Sequence, residues 1–213
     1  AEMMDTGLAT SDAVERKLGV PHVGSVPLMS SVAEPQDRNL LPIDYVTKKP
    51  LSAFAEAFRS LRASVVYTND GSPVKLVTLT SSLPDEGKTT SAIGLARVSA
   101  QAGAKVLLVD CDLRRRAVTR MLRLDPTKGL TEVVLGVAKL EEAIVLDEAS
   151  GAYVLPATTD GMSKDIFGTP AMDALLERLR ANFDLIIMDT PPVLAVADSR
   201  AIATKSDAVV LLV

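Results

Sequence analysis

A glycine, a lysine and two threonines follow one another near the middle of the chain, in the stretch SSLPDEGKTT at residues 81–90. Gly87 lets the backbone curl so that its N–H groups point inward, Lys88 adds a cation for the β- and γ-phosphates of a nucleotide, and Thr89 offers a hydroxyl to Mg²⁺. Ser82 replaces the first glycine of the usual G-x-x-x-x-G-K-[ST] pattern. An apolar run before the stretch and a helical pattern after it still predict a phosphate-binding loop.

An aspartate ends the apolar run at residues 183–189, which reads FDLIIMD and is followed by Thr-Pro-Pro. Such a strand can hold one carboxylate rigidly near the Mg²⁺ that bridges the β- and γ-phosphates. Taken alone, an aspartate in this position is more often a turn or cap residue. Together with the Lys88 loop, Asp189 is predicted to be a magnesium-site carboxylate.

Two further aspartates, Asp110 and Asp112, follow the apolar run VLLV. In extended backbone, side chains two residues apart project to the same side, here toward the predicted phosphate site. One can assist Mg²⁺ while the other accepts a proton from an attacking hydroxyl, as phosphoryl transfer to an alcohol requires. Cys111 between them is predicted to be a small buried residue.

Short apolar runs alternate with helical patterns from residue 75 onward, and several runs are continuous, which is typical of strands buried on both faces. They predict strands at 75–80, 105–110, 152–155, 185–189 and 208–213. The patterns between them predict helices at 89–101, 114–123, 131–144, 170–182 and 198–204. The predicted fold class is α/β, a parallel sheet sandwiched by helices, with ligands at the carboxyl ends of the strands.

The first 50 residues differ in pattern from the rest. Asp12 and Glu15 form a capping pair that predicts a short helix through Leu18. The polar, proline-containing stretch that follows is interpreted as an extended segment and a linker.

Residues 52–69 predict a helix with one apolar face. That face consists of Phe54, Phe58, Leu61 and Val65. Glu56, Arg59 and Arg62 recur on another face at i, i+3 and i+6. A solvated flank with an intrahelical ion pair explains this stripe. A subunit interface is the alternative explanation, because the planar fork of arginine pairs with carboxylates or phosphates on a neighbour.

The composition narrows the class of protein. A net charge of −4 argues against a general binder of nucleic acid or membrane surfaces. One cysteine rules out a disulfide framework, and a single histidine argues against a histidine-based metal site. No apolar run approaches the ~18 residues that a membrane span needs.

Four motifs in combination resemble those of bacterial tyrosine kinases, and they occur in the same order. They are E-x-x-R-x-x-R at Glu56, Arg59 and Arg62, the loop at residues 82–90, D-x-D-x-R at Asp110, Asp112 and Arg114, and the strand ending Asp189-Thr190-Pro191-Pro192. The pattern L-G-x-P-x-x-G-x-x-P at residues 18–27 resembles the segment that follows the second transmembrane helix in such proteins. The chain therefore resembles the cytoplasmic kinase domain that is joined to an exopolysaccharide co-polymerase.

The resemblance implies a P-loop NTPase fold at residues 51–213, preceded by a juxtamembrane segment and linker at residues 1–50. It implies an ATP-dependent protein-tyrosine autokinase that phosphorylates neighbouring subunits and regulates exopolysaccharide polymerisation and export. The implied catalytic residues are Lys88, Asp110, Asp112 and Asp189, with Asp110 orienting or deprotonating the tyrosine hydroxyl. The implied Mg²⁺ ligands are Thr89, Asp112 and Asp189. The implied ATP contacts are Ser82, Pro84, Asp85, Glu86, Gly87, Lys88, Thr89, Thr90 and Arg114.

The same resemblance makes Glu56, Arg59 and Arg62 an oligomerisation motif. The expected partners are copies of the chain in a ring-like homo-oligomer and a transmembrane co-polymerase region, with no nucleic acid. The expected location is the cytoplasmic side of an inner membrane.

Two features depart from the family pattern. The family's C-terminal tyrosine cluster is absent, and Tyr45, Tyr67 and Tyr153 are scattered and predicted to be structural, so a C-terminally truncated chain is expected. The family commonly carries an Asn-Pro turn where this chain has GMSKD at residues 161–165.

Two other functions remain open at this point. A partitioning ATPase of the MinD/ParA type shares the fold, but its loop carries a lysine where this chain has Leu83. A non-catalytic nucleotide-binding scaffold is the other alternative, although the acidic set of Asp110, Asp112 and Asp189 is intact.

Overall fold

The computed structural model describes residues 11–66, 74–158, 165–196 and 198–213. Its strands are β1 Leu76–Ser81, β2 Val106–Asp110, β3 Val145–Asp147, β4 Ala152–Leu155, β5 Leu185–Asp189 and β6 Ala208–Leu212. They form one six-stranded sheet in the order β3-β4-β2-β5-β1-β6. All neighbouring pairs are parallel except β3 and β4, which are antiparallel. The predicted α/β class is confirmed. Tyr67 and residues 161–164, on which two expectations fall, lie outside the described residues.

Both faces of the sheet are buried, which is why the strands read as continuous apolar runs. Alternate residues of a strand point to opposite faces. Leu108 and Ile187 accordingly lie in one hydrophobic cluster, and Leu107 and Ile186 lie in the other.

Helices cover the two faces. On the first face lie α2 Met29–Val32, α3 Pro42–Lys48, α4 Ala53–Val66, α5 Lys88–Gln101 and α6 Ala117–Met121. On the second lie α7 Leu130–Val134, α8 Leu140–Ala143, α9 Pro170–Asn182 and α10 Asp198–Ala203. The predicted short N-terminal helix is α1, Ser11–Leu18, and it has no buried residue.

The apolar face predicted for α4 is confirmed, because all four of its residues are buried. Phe58 packs against α5 at Gly94. A Cβ at Gly94 would lie 2.7 Å from the Phe58 ring, so this close approach of the two helices requires glycine.

The linker predicted before residue 50 is wrong in its central part. Ile43, Tyr45 and Val46 of α3 are buried in the first cluster. Arg97 of α5 anchors this segment, since its Nη1 donates to the carbonyl of Ile43 at 2.6 Å. The same buried guanidinium donates to both oxygens of Asp147 at 2.9 and 3.0 Å. The guanidinium of Arg97 therefore joins α3, α5 and β3.

Two predicted helices are shorter than expected, and one strand was not predicted. The helix at 114–123 is confined to α6, because the Asp112 side chain accepts from the backbone of Arg115 and holds the preceding turn. A turn at Gly136 divides residues 131–144 into α7 and α8. β3 has only three residues, none of them buried, which is too short for a periodic signal.

In the part of the chain that the structure describes, no helix is both long enough and apolar enough to span a bilayer.

Candidate active site

The topology brings three strand ends together. β5 lies between β1 and β2, so Asp189 is opposite Leu79 in one pairing and opposite Asp110 in the other. The loop after β1 leaves the same edge of the sheet. In parallel α/β sheets, ligands bind at this carboxyl edge.

The predicted phosphate loop connects β1 to α5. Gly87 has φ +81° and is the N-cap of α5, a left-handed conformation that favours glycine. Gly87 also has no side chain to cap the first N–H groups of α5, so they and the positive end of the helix dipole are available to an anion. The N–H of Leu83 donates to Glu86 Oε2 at 2.8 Å, so the loop already binds a carboxylate at one of its donors.

Lys88 and Thr89 begin α5, and both are buried. The Thr89 hydroxyl donates to Asp189 Oδ2 at 2.7 Å. Lys88 Nζ lies 3.7 Å from Asp112 Oδ2 and donates to Thr89 Oγ1 at 3.3 Å. The first turn of α5 is therefore joined to the ends of both β2 and β5.

Three buried carboxyl groups each have one oxygen that accepts no hydrogen bond from the described residues. Within the described residues, Asp110 Oδ1, Asp112 Oδ2 and Asp189 Oδ1 have no hydrogen-bond partner. An unpaired buried carboxylate oxygen costs free energy, and such groups concentrate where a ligand or ion is bound.

Burial raises the pKa of two of these carboxyl groups. It raises the pKa of Asp189 to about 7, although the charge of Lys88 and the hydrogen bond from Thr89 act in the opposite direction. It raises the pKa of Asp110 to about 6, although two hydrogen bonds from Thr119 lower it. The site therefore contains carboxyl groups that titrate near neutral pH, which is a property of acid–base sites.

Thr119 is a site residue that the sequence did not reveal. Its backbone N–H and its hydroxyl both donate to Asp110 Oδ2, at 2.9 and 2.7 Å. The hydroxyl accepts from the N–H of Ala157 at 3.0 Å, so its own proton is directed at Asp110. Only the fold of α6 places residue 119 beside residue 110, and a threonine among basic residues carries no signal of this role.

The other predicted nucleotide contacts are more open. Pro84 and Asp85 are exposed, and Ser82 and Thr90 are half-buried. Arg114 is exposed, and its charge acts on the carboxyl of Asp198 at the start of α10. Cys111 is buried as predicted, and burial followed by the charge of Asp110 raises the pKa of its thiol well above the usual value.

The donor set fits Mg²⁺. Across residues 11–66, 74–158, 165–196 and 198–213, no three His, Cys, Asp or Glu side chains form a metal cluster. Mg²⁺ at nucleotide sites does not need one, since it keeps several waters and takes one or two carboxylates plus substrate phosphates. The Thr89 hydroxyl and the carboxylate oxygens of Asp112 and Asp189 are hard oxygen ligands of that kind.

Two other features lie outside this site. The stripe of Glu56, Arg59 and Arg62 is on α4, where Arg59 pairs with Glu56 at 2.6 Å and donates to the carbonyl of Pro50. A pocket of about 260 Å³ lies between α3, the end of α6 and β3, and its lining includes Arg97 but not Lys88 or the three aspartates.

A phosphate loop that opens α5, together with carboxyl groups at the ends of two neighbouring parallel strands, defines a P-loop nucleotide-binding protein. A model of the AAA domain family matches residues 82–213. The tyrosine-protein kinase YwqD of Bacillus subtilis (strain 168) is 36% identical over 169 residues, which cover 78% of this chain and 70% of that protein. The chain belongs to the bacterial tyrosine kinases.

Three further proteins are similar to this chain. The kinase domain of the Escherichia coli tyrosine kinase ETK matches with a TM-score of 0.79 and 26% identity, over 92% of this chain and 79% of that one. Succinoglycan biosynthesis transport protein ExoP of Rhizobium meliloti (strain 1021) is 32% identical over 79% of this chain, which spans 22% of ExoP. Cobyrinic acid a,c-diamide synthase from Mycobacterium smegmatis, solved with ADP and magnesium, matches with a TM-score of 0.57 and 25% identity, over 65% of this chain and 59% of that one.

Proposed function

We propose that this chain transfers the γ-phosphoryl group of ATP to tyrosines of neighbouring copies. We further propose that it thereby regulates exopolysaccharide polymerisation and export, as the cytoplasmic domain of an inner-membrane assembly. One observation supports the catalytic part of this proposal: the Lys88 loop lies beside three buried carboxyl groups, and in the described part of the chain one oxygen of each has no hydrogen-bond partner. A turn or cap aspartate is usually exposed, whereas Asp110, Asp112 and Asp189 are buried.

The loop and the first turn of α5 would bind the phosphates. Lys88 supplies a positive charge at the β- and γ-phosphates, and the uncapped N–H groups after Gly87 supply donors. Thr89, Asp112 and Asp189 would hold Mg²⁺. When bound, Mg²⁺ neutralises charge on the β- and γ-phosphate oxygens.

Asp110 is the proposed base, and Thr119 determines which of its atoms accepts the proton. Both Thr119 donors occupy Oδ2, so a proton taken from a tyrosine hydroxyl goes to Oδ1, the oxygen without a partner. The tyrosine oxygen then bonds to the γ-phosphorus as the bond to the β–γ bridging oxygen breaks and ADP leaves. A pKa of about 6 keeps Asp110 mostly ionised at neutral pH and close to the range that favours proton transfer.

We expect Thr119→Val to lower kcat roughly tenfold to a hundredfold while changing nucleotide affinity less than about threefold. Valine keeps the shape and the backbone donor, but it removes the hydroxyl that fixes Asp110 and accepts from Ala157. Steady-state kinetics of peptide phosphorylation and fluorescent-nucleotide titration measure the two quantities, and Thr119→Ser should restore kcat. Thr131→Val is the matched control, because the buried Thr131 hydroxyl has no partner within the described residues. A kcat that Thr119→Val leaves unchanged contradicts the positioning role.

The α4 stripe is proposed as the contact between subunits. Its arginines present planar donors, and Arg62 Nε is buried without a hydrogen-bond partner among the described residues. A carboxylate from a neighbouring copy would pair with the exposed donors of this stripe.

Replacing Glu56, Arg59 and Arg62 together by alanine is expected to reduce the molar mass in solution to that of a smaller assembly, because the arginine forks that bind the neighbour are lost. Multi-angle light scattering measures the mass. Glu141→Ala with Arg178→Ala is the control, since it removes an exposed ion pair from the other side of the sheet. An unchanged mass in the triple variant would assign the stripe to the solvated flank of α4.

Incubating the protein with ATP, Mg²⁺ and a tyrosine peptide tests the function directly. Phosphotyrosine on the peptide supports a kinase. Phosphate release without phosphotyrosine identifies an ATPase switch of the partitioning type, and nucleotide binding without either product identifies a scaffold.

A further inference from the structure

α6 and its flanking residues carry a concentration of positive charge, and apart from Arg114 the proposed chemistry does not use it. Five arginines, here called the arginine face, lie within ten residues: Arg114, Arg115, Arg116, Arg120 and Arg123. The chain as a whole has a net charge of −4. Four of the five are exposed, and Arg116 is half-buried. The charge is therefore local and open to a partner.

Few acidic side chains in the described part of the chain neutralise the arginine face. Among the described residues, its one ion pair joins Arg115 to Asp85 at 3.7 Å, and both side chains are more than half exposed. Arg116, Arg120 and Arg123 have no side-chain partner in that part of the chain. Among the described residues, no ion pair offsets the repulsion between Arg116, Arg120 and Arg123, so an anionic partner would be favoured.

Two of these arginines have a left-handed backbone conformation that other residue types adopt more easily. Arg116 has φ +49° and Arg123 has φ +56°, and they flank α6. Glycine or asparagine adopts this left-handed conformation at lower cost, by roughly 1 kcal/mol. Local folding thus gives no reason for arginine at either position, whereas an external use of the charge does.

The position of the arginine face indicates the partner. Arg115 lies 3.7 Å from Asp85, so one end of the face adjoins the predicted phosphate loop. The inner side of the same helix holds Asp110 through Thr119. A chain bound along the outer side would lie beside the reacting groups.

We propose that the arginine face binds an acidic segment of the tyrosine-bearing acceptor and so selects acceptors whose tyrosine has Asp or Glu neighbours. This inference rests on the proposed kinase function. Charge complementarity supports an acidic peptide, and the contact with the phosphate loop favours an acceptor over a lipid surface or DNA. The net negative charge of the rest of the chain opposes extended anionic surfaces.

The test compares two tyrosine peptides of equal length, one with glutamates around the tyrosine and one with glutamines. The protein should show a lower KM for the acidic peptide. Arg120→Gln with Arg123→Gln should reduce the KM ratio of the two peptides about tenfold, at roughly threefold per exposed ion pair. Raising the salt to 0.5 M should reduce the ratio in the same direction.

Two further double variants test whether the positive charge of Arg120 and Arg123 causes the peptide preference. Arg120→Lys with Arg123→Lys should keep much of the preference, because the charge remains. Lys139→Gln with Arg178→Gln removes the same charge from the opposite side of the sheet and should leave the ratio unchanged. If Arg120→Gln with Arg123→Gln leaves the KM ratio of the two peptides unchanged, the proposal is wrong.

Binding of the acidic peptide, measured by fluorescence anisotropy without ATP, keeps the inference distinct from the kinase function. Binding that depends on Arg120 and Arg123 supports the surface even if no peptide is phosphorylated. Phosphorylation of both peptides with equal KM supports the kinase and refutes the surface. Arginine-dependent binding to phosphatidylglycerol vesicles or duplex DNA, without binding to the acidic peptide, also refutes it.

Discussion

Replacing Lys88 by methionine is expected to lower phosphotyrosine formation at least about a hundredfold while the far-UV circular dichroism spectrum stays unchanged. The variant loses the only group placed to put a full positive charge on the β- and γ-phosphates from within the loop, and charge stabilisation is the main contribution of the protein to phosphoryl transfer. Methionine fills a similar volume in the buried first turn of α5. Transfer of labelled phosphate to a tyrosine peptide measures the loss.

Lys139→Met is the matched control, because Lys139 is exposed on the other side of the sheet and should have no effect. Activity that persists in Lys88→Met, with nucleotide affinity unchanged, would refute the assignment of the loop.

Asp189→Asn is expected to have two opposite effects. It should stabilise the ligand-free protein by roughly 2–4 kcal/mol above pH 7, because a fully buried carboxylate is replaced by a neutral side chain of the same shape. It should also abolish the stabilisation that Mg²⁺ with a non-hydrolysable ATP analogue gives, because a proposed ligand is lost. Urea unfolding with and without the analogue measures both effects.

The pH dependence gives a second test of Asp189. A raised pKa means that the folded state binds the proton more tightly than the unfolded chain does. The contribution of the protonated group to stability is therefore fully present below about pH 4 and is lost as the pH rises through about 7. The advantage of asparagine should be greatest above pH 7 and should fade toward pH 4. Asp125→Asn, at an exposed position, should show neither effect, and an Asp189→Asn variant that is less stable than the parent at pH 8 contradicts the account.

The strand ends could be predicted because each lies directly after a continuous apolar run. The positions of Asp110 and Asp189 follow from local pattern plus the rule that parallel strands end at one edge. The loop at Gly87 is similarly local, since its conformation depends on one glycine and the helix that follows.

Features that depend on contacts between distant segments could not be predicted. The sequence around Ile43 is polar and contains prolines, and it is the burial of Ile43 in the first cluster and its contact with Arg97 that show it to be folded against the core. Thr119 became a site residue because α6 returns toward the end of β2. The three residues of β3 are held by pairing with β4, and their own pattern is too short to predict a strand.

The strand order has a consequence for synthesis of the protein. The hydrogen bond between Thr89 and Asp189 joins residues 100 positions apart, and β5 fills the space between β1 and β2. A nascent chain that has reached only β4 has its phosphate loop but no strand to hold that loop beside Asp110. Nucleotide binding of the proposed kind therefore cannot begin on the ribosome until β5 has emerged. The nucleotide is then bound only when synthesis of the domain is nearly complete.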